Sequence, residues 1–246
     1  MGNKVYTADY AGHALRYAFH YDGTEKYLFP YIQESDETEW DVLAEPAYIE
    51  SQRPYYTECT EDRYVEYKSL IGLSSLALLS ARCCFYHAVA IKWRDRAWLI
   101  TAPPGTGKTT QYKNWRILFR SEVEMICGDM PLLEFRPDGS IWVHPSPWNG
   151  KERIRGKASG RLSGLVYLEQ GPENRFSLFP AAESAMSILQ QFAVLPDTVE
   201  QVEQLTSMED QLLRQIPVWK FVNLGDHAST RMMRDVFKHR IMEEEA

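Results

Sequence analysis

The sequence has little of what marks several common protein classes. Only four cysteines occur in 246 residues, Cys59, Cys83, Cys84 and Cys127. None stands in C-x-x-C spacing, so neither a zinc site nor a redox pair is indicated. Cys83 and Cys84 sit among apolar residues and read as small buried hydrophobes. The longest apolar stretch, Leu70 to Leu79, is broken by Gly72, Ser74 and Ser75 and is too short to span a bilayer. Met1 to His13 is polar, so no signal peptide is expected. A myristoylation signal on Gly2 would need Ser or Thr where Tyr6 stands. Positive charge is not in excess either. Lys and Arg number 27 against 34 Asp and Glu, and the net charge of −7 argues against a nucleic-acid partner. The chain contains no nucleophile elbow, no His-metal signature and no Rossmann G-x-G-x-x-G. Nor does it show an internal repeat. Hydrophobic residues at 44% and charged residues at 25% are ordinary for a globular protein, with room for one large domain or a core plus a small appendage.

What is present centres on Ala102-Pro103-Pro104-Gly105-Thr106-Gly107-Lys108-Thr109-Thr110. An apolar run, Ala97 to Ile100, precedes it, and a segment of helical composition, Gln111 to Phe119, follows. Strand, glycine loop and helix in that order make a phosphate-binding loop. Gly105 and Gly107 let the backbone bend and bring its N–H groups to phosphate oxygens. Those amides sit at a helix N-terminus, which favours negative charge. Lys108 adds a cation, and the Thr109 hydroxyl is placed to hold Mg²⁺, with Thr110 completing the loop. Ala102 stands where the pattern usually has Gly, which is harmless if its backbone is ordinary and serious if it needs positive φ. A Pro-Gly-rich surface turn is the bland alternative. The expected compartment is the cytosol, which keeps thiols reduced and suits ATP chemistry.

Along the chain, Leu15, Tyr17, Phe19 and Tyr21 alternate with Arg16, Ala18 and His20, as in a half-buried strand. Asp22-Gly23 suggests a hairpin turn into Lys26 to Tyr31. Glu34 to Glu39 is an acidic run, read as a solvated loop or as a docking surface for a basic partner. Arg63 to Arg82 reads as a helix apolar nearly all round and therefore buried, bridging the lead-in to the core. Cys84 to Trp93 and Ala97 to Thr101 read as an antiparallel hairpin joined by Arg94-Asp95-Arg96. Strands are expected at Glu122 to Cys127, Leu132 to Phe135, Ile141 to His144, and as a pair at Leu165 to Glu169 and Phe176 to Phe179. The end of the chain should hold helices at Ala181 to Phe192, Val199 to Gln215 and His227 to Arg240, the last capped by Asp226, with a strand at Val218 to Leu224.

Three further places could carry chemistry. Asp129 follows a strand that comes directly after the loop helix, where carboxylates commonly hold Mg²⁺ or accept a proton; after Gly128 it could equally form a turn. His87 lies in an apolar strand, as either a satisfied core residue or a functional one. Lys151 and Arg155, in Trp148 to Arg155, form either a solvated basic loop or a mobile cation closing over the γ-phosphate.

These pieces together resemble HPr kinase/phosphorylase and, more broadly, the phosphoenolpyruvate-carboxykinase-like phosphate-loop fold. The features are a strand hairpin containing His87, a loop ending Gly107-Lys108-Thr109, and Gly128-Asp129 after the next strand. Ser146-Pro147-Trp148-Asn149-Gly150-Lys151-Glu152 and Gly171-Pro172-Glu173-Asn174-Arg175 are similar to segments of short HPr-kinase-related proteins of bacteria. The resemblance spans about Cys83 to Ile241. It implies an α/β fold with a mixed sheet, preceded by a small β-rich N-terminal lead-in, with residues 1–62 as the lead-in and 63–246 as the core. It also implies that Lys108 and Thr109 serve ATP and Mg²⁺, that Asp129 is the base taking a serine hydroxyl proton, and that His87 lies near the transferred phosphate. Two features depart from the family. Asp129-Met130 replaces a paired Asp-Asp, and the Gly-rich C-terminal signature of the bifunctional enzymes is not visible.

The expectation is therefore a Mg²⁺- and ATP-dependent kinase acting on a hydroxyl of a peptide, protein or small molecule, most simply a serine. No nucleic-acid or membrane partner is expected, and self-association is left open. The runner-up is a nucleotide-binding regulatory or scaffold module that has lost catalysis, favoured by Met130. Carboxykinase chemistry on a small acid is a third reading, disfavoured because no His, Lys and Asp metal cluster is apparent in the sequence.

Overall fold

The computed structural model describes residues 5–29, 31–33, 38–56, 59, 61–150 and 156–245. Its first sheet begins with β1 (Val5–Tyr10) and β2 (His13–Ala18), an antiparallel hairpin. The turn falls at Ala11 and Gly12, whose φ of 58° and 92° match the twist of a two-residue hairpin loop. Leu15 and Tyr17 are buried while Arg16 is exposed, as alternation requires. Asp22-Gly23 does not turn a hairpin. The chain instead forms a short helix, α1 (Glu25–Leu28), and β3 (Ile32–Gln33) pairs with the far edge of β1. A buried carboxylate accounts for the difference. Glu66 accepts hydrogen bonds from the N–H of His20 (2.7 Å) and of Tyr21 (3.2 Å) and from the Thr24 hydroxyl (2.6 Å), which pins this turn to the helix behind it. The free edge of β2 is taken in parallel by β4 (Trp40–Leu43), and α2 (Pro46–Gln52) follows.

The helix carrying Glu66 is α3 (Asp62–Leu78), buried on several sides as its all-round apolar pattern predicts. It joins the first sheet to the second. Tyr17 and Ser74 share a hydrogen bond of 2.8 Å on one side, and the Phe85 N–H donates to the Ser75 hydroxyl (3.0 Å) on the other. Left-handed Arg82 (φ 54°) then turns the chain into β5 (Cys83–Phe85).

The single strand expected from Cys84 to Trp93 is two strands. β5 pairs with β9 (Leu132–Phe135), whereas β6 (Ala88–Trp93) pairs with β7 (Arg96–Thr101) and β8 (Val123–Cys127). Between them the backbone donors of Tyr86 and His87 go to Pro131 O (3.0 Å) and Gln191 O (2.7 Å), which compensates the break. The β6–β7 hairpin itself is as expected, turned by Arg94 and Asp95 at positive φ.

α4 (Lys108–Phe119) follows β7, and β10 (Ile141–His144) pairs with β9. β11 (Gly160–Gln170) is the central strand, parallel to β7. Its N-terminal end meets β10 and the rest of that edge meets β13 (Val218–Asn223), also in parallel. β12 (Arg175–Leu178) is therefore not the partner of β11; it lies antiparallel on the outer edge of β13. The result is a mixed α/β architecture with a nine-stranded sheet beside the four-stranded one. Period-two alternation divides the core. Ala88, Ala90 and Leu99 face α5 (Ala181–Leu189) and α6 (Val199–Gln215), while Val89, Ile91 and Ile100 face α4 and α7 (His227–Glu244). Trp98 stacks on Phe237 at 3.9 Å, so α7 is seated by aromatic contact. Among the described residues no helix is long and apolar enough to cross a membrane.

Candidate active site

β7, β8, β11 and β13 run in one direction, and their C-terminal ends meet the start of β6 along one rim of the sheet. The loop after β7 leaves from this rim, the usual place for ligands in sheets with parallel strands. Gly105 and Gly107 adopt φ of 81° and 111°, and a Cβ at either would meet nothing within 4 Å. Backbone conformation, not crowding, is what calls for glycine there. Ala102 is not among the positive-φ residues, so its replacement of glycine is harmless. The Thr106 hydroxyl donates to Pro103 O (2.8 Å) and the Gln170 amide to Gly105 O (3.3 Å), which braces the turn. α4 begins without a side-chain cap, leaving its first N–H groups for an anion.

Lys108, the first residue of α4, is buried and donates to Ala102 O at 2.7 Å. Burial lowers the pKa of its ammonium, opposed by the charge of Asp129. Thr109 is half-buried beside it and Thr110 is exposed.

His87 occupies the break between β5 and β6, where its Nε2 lies 3.6 Å from Asp129 Oδ1. That distance is too long for a hydrogen bond. Asp129 is held by its backbone, since its carbonyl accepts from the Ala88 N–H at 2.8 Å. On the other side His87 Nδ1 lies 3.2 Å from the Gln191 side-chain oxygen. Burial, then the nearby Lys108 charge, push the imidazole below its ordinary value, and Asp129 and Gln191 only partly oppose them. The imidazole is thus held neutral at neutral pH. Lys108, His87 and Asp129 form one electrostatically linked group at the rim.

The segment after β10 is fixed in place. Trp148 is buried among Tyr10, Tyr67 and Phe85, with the Phe85 ring 4.4 Å away. The Met130 N–H donates to Trp148 O (3.0 Å), the Ser146 hydroxyl donates to Met130 O, and the Asn149 amide donates to Ser146 O (2.9 Å). Gly150 (φ 66°) then passes so close to Asp129 that a Cβ would meet the Asp129 Cβ at 3.1 Å. Residues 145–150 are a wall against Asp129, not a free lid. Lys151 and Arg155 lie outside the described residues.

The oxygen donors present suit a hard cation. A threonine hydroxyl and one carboxylate, completed by phosphate oxygens and water, are what Mg²⁺ usually takes. Among the described residues no group of three or more His, Cys, Asp or Glu could hold a metal, and such a cage is not needed for that mode of binding. The open, amide-lined loop and buried Lys108 suit a nucleotide phosphate in the same way.

No protein-family model matches this sequence, and no curated protein matches it. A solved structure, the Hpr(Ser) kinase/phosphatase from Coxiella burnetii, is similar at 12% identity with a TM-score of 0.36. The match covers 65% of this chain and 98% of that chain. A likeness so distant carries no argument here. The site stands on its own geometry.

Two residues at the site escape sequence reasoning. Gln191 lies 104 positions beyond His87 and belongs to no motif. Lys68, on α3, is half-buried between the rings of Tyr56 (6.0 Å) and Tyr64 (5.9 Å), and its charge also acts on His87. Only a surplus of polar residues in apolar segments hints at either.

Proposed function

We propose that this chain is an ATP- and Mg²⁺-dependent phosphotransferase of the HPr-kinase-like kind, with a phosphoenolpyruvate-carboxykinase-like core. It would move the γ-phosphate to a hydroxyl, that of a serine in a peptide or protein, and it would work in the cytosol. The observation that carries this reading is the meeting of Lys108, His87 and Asp129, from three separate elements, at the rim where the glycine loop leaves β7. Phosphoryl transfer needs positioning and neutralisation of charge more than covalent chemistry. Lys108 offers a cation at the loop, Thr109 an oxygen for Mg²⁺, and Asp129 a carboxylate able to orient the acceptor and take its proton. His87, beside that carboxylate but not hydrogen-bonded to it, is given a place near the transferred phosphate. Bound Mg²⁺ would neutralise charge on the phosphates. Lys151 is assigned the role of a further cation toward the transferred group.

The test is transfer of labelled phosphate from ATP to serine peptides by wild type and Asp129→Asn, with nucleotide binding measured in parallel. Asparagine keeps the size of aspartate but cannot accept a proton at neutral pH. Transfer should fall by about a hundredfold to ten-thousandfold, with binding little changed. Equal transfer by both proteins would remove Asp129 from its role. A silent nucleotide-binding module is the second reading. It is favoured by Met130, a residue packed against the aromatic cluster around Trp148 instead of a second acid at the rim. Binding of nucleotide by wild type with no transfer to any acceptor would establish that reading.

A further inference from the structure

We propose that Gln191 is a positioning residue that keeps the His87 proton on Nδ1 and so leaves the Asp129 carboxylate free of the imidazole. The inference rests on the phosphotransferase reading of this site. Gln191 is buried just beyond α5, and its orientation is set from both ends. Its Nε2 donates to Ser187 O (3.2 Å), so its oxygen is the atom facing His87 Nδ1 at 3.2 Å. An amide oxygen only accepts, so the imidazole must be the donor through Nδ1–H. The Thr101 hydroxyl donates to His87 O (2.6 Å) and lies 3.2 Å from the same Gln191 oxygen, closing the arrangement over the end of β7.

The consequence falls on the other ring nitrogen. In a neutral imidazole protonated at Nδ1, Nε2 carries a lone pair, and this lone pair faces Asp129 Oδ1 at 3.6 Å. Two acceptors facing each other do not bond, which agrees with a separation beyond hydrogen-bond length. A hydroxyl whose oxygen sits to one side of this pair, within hydrogen-bond reach of both atoms, finds two acceptors for its proton. The opposite tautomer would point Nε2–H at the carboxylate and occupy the lone pair that a base needs. Gln191 therefore acts on Asp129 through His87. The backbone clamp does not depend on its side chain, because His87 N–H donates to Gln191 O (2.7 Å) and Ala193 N–H to Phe85 O (2.8 Å).

Gln191→Met keeps length and volume but has no amide, whereas Gln191→Glu keeps an acceptor for Nδ1–H. Histidine ¹⁵N spectra of the full chain, with His87 assigned by comparison with His87→Ala, should show Nδ1–H in wild type and in Gln191→Glu. In Gln191→Met the proton should shift toward Nε2. Phosphoryl transfer should fall about 10- to 100-fold in Gln191→Met, the usual scale for a residue that orients a functional group. The KM for ATP should hold, and Gln191→Glu should recover most of the rate. Adding Gln191→Met to His87→Ala should cost nothing further. An Nε2–H tautomer in wild type, or an Nδ1–H tautomer that survives Gln191→Met, overturns the proposal whether or not the chain transfers phosphate. Wild type that transfers nothing while showing the expected spectra would count against the phosphotransferase reading and not against the tautomer lock.

Discussion

Lys108 rests on the carbonyl of Ala102, six residues back in its own loop, so its charge is held at the loop before any phosphate arrives. A ligand that binds only the native state stabilises it, by about 2.7 kcal/mol at a hundredfold excess over Kd. Mg·ATP should therefore raise the thermal midpoint of wild type, and the rise should vanish in Lys108→Ala. Equal shifts in the two proteins would take the loop out of the site. Gly107 gives a second handle. Its φ of 111° costs a side chain about 1–3 kcal/mol, and no steric clash adds to it. Gly107→Ala should lower stability in denaturant titration by that amount and weaken nucleotide binding as the loop relaxes. These residues are legible as candidates because the pattern of a phosphate-binding loop is local and its spacing is rigid. His87 and Asp129 were legible as candidates, but their approach to 3.6 Å depends on a strand break and a sheet register that no local pattern encodes. Gln191 was not legible at all.

At the scale of elements, the segment from Ser146 to Gly150 gives the clearest departure. The basic residues that follow it, Lys151 and Arg155, read as a solvated loop or a mobile cation, yet within the segment Trp148 is buried among Tyr10, Tyr67 and Phe85, and Tyr67 bonds two successive residues of it. Tyr67 donates to Pro147 O (3.3 Å) and accepts from the Trp148 indole (3.4 Å). Amide exchange at Met130 and Trp148 should accordingly be slow without nucleotide and change little when Mg·ATP is added. Protection that appears only with nucleotide would show a closing lid instead. Trp148→Ala should cost about 3–5 kcal/mol in unfolding free energy, as for other large buried side chains. Composition hides this role, since a lone tryptophan in a polar stretch carries no period. The opposite holds for α6, whose expected and observed bounds coincide at Val199–Gln215. Thr198 and Gln201 form a capping box there, a signal written wholly in neighbouring residues. The β11–β12 pairing failed for a topological reason. β13, about 50 residues later in the chain, offers β11 a parallel edge, and a hairpin reading compares only neighbours.

Across the whole molecule, β9, β10 and the start of β11 are tied by a polar cluster whose behaviour in acid can be worked out. His144 on β10 lies 2.8 Å from Glu134 on β9 through Nε2 and 3.1 Å from the Ser159 hydroxyl, just before β11, through Nδ1. Arg136 adds an ion pair to Glu134 at 2.9 Å. Burial lowers the His144 pKa below its ordinary 6.5, and the charges of Arg136 and His13 add to that effect against the pull of Glu134. Burial alone would raise Glu134, but hydrogen bonds from Arg136 and His144 outweigh it and hold the carboxyl below its ordinary 4.5. Both shifts act in one direction. Below pH 6.5 the unfolded chain protonates His144 while the native state resists, and below pH 4.5 the same holds for Glu134. At these two groups the unfolded state therefore binds more protons, and the stability they contribute falls as pH falls. His87, lowered mainly by burial, contributes with the same sign. Unfolding free energy measured by denaturant titration should decline steadily from pH 7 toward pH 4. His144→Gln keeps an amide able to bond Glu134 but does not titrate, so its decline between pH 7 and 5 should be shallower than that of wild type. Parallel curves for the two proteins would mean that the cluster does not set the acid response of this sheet.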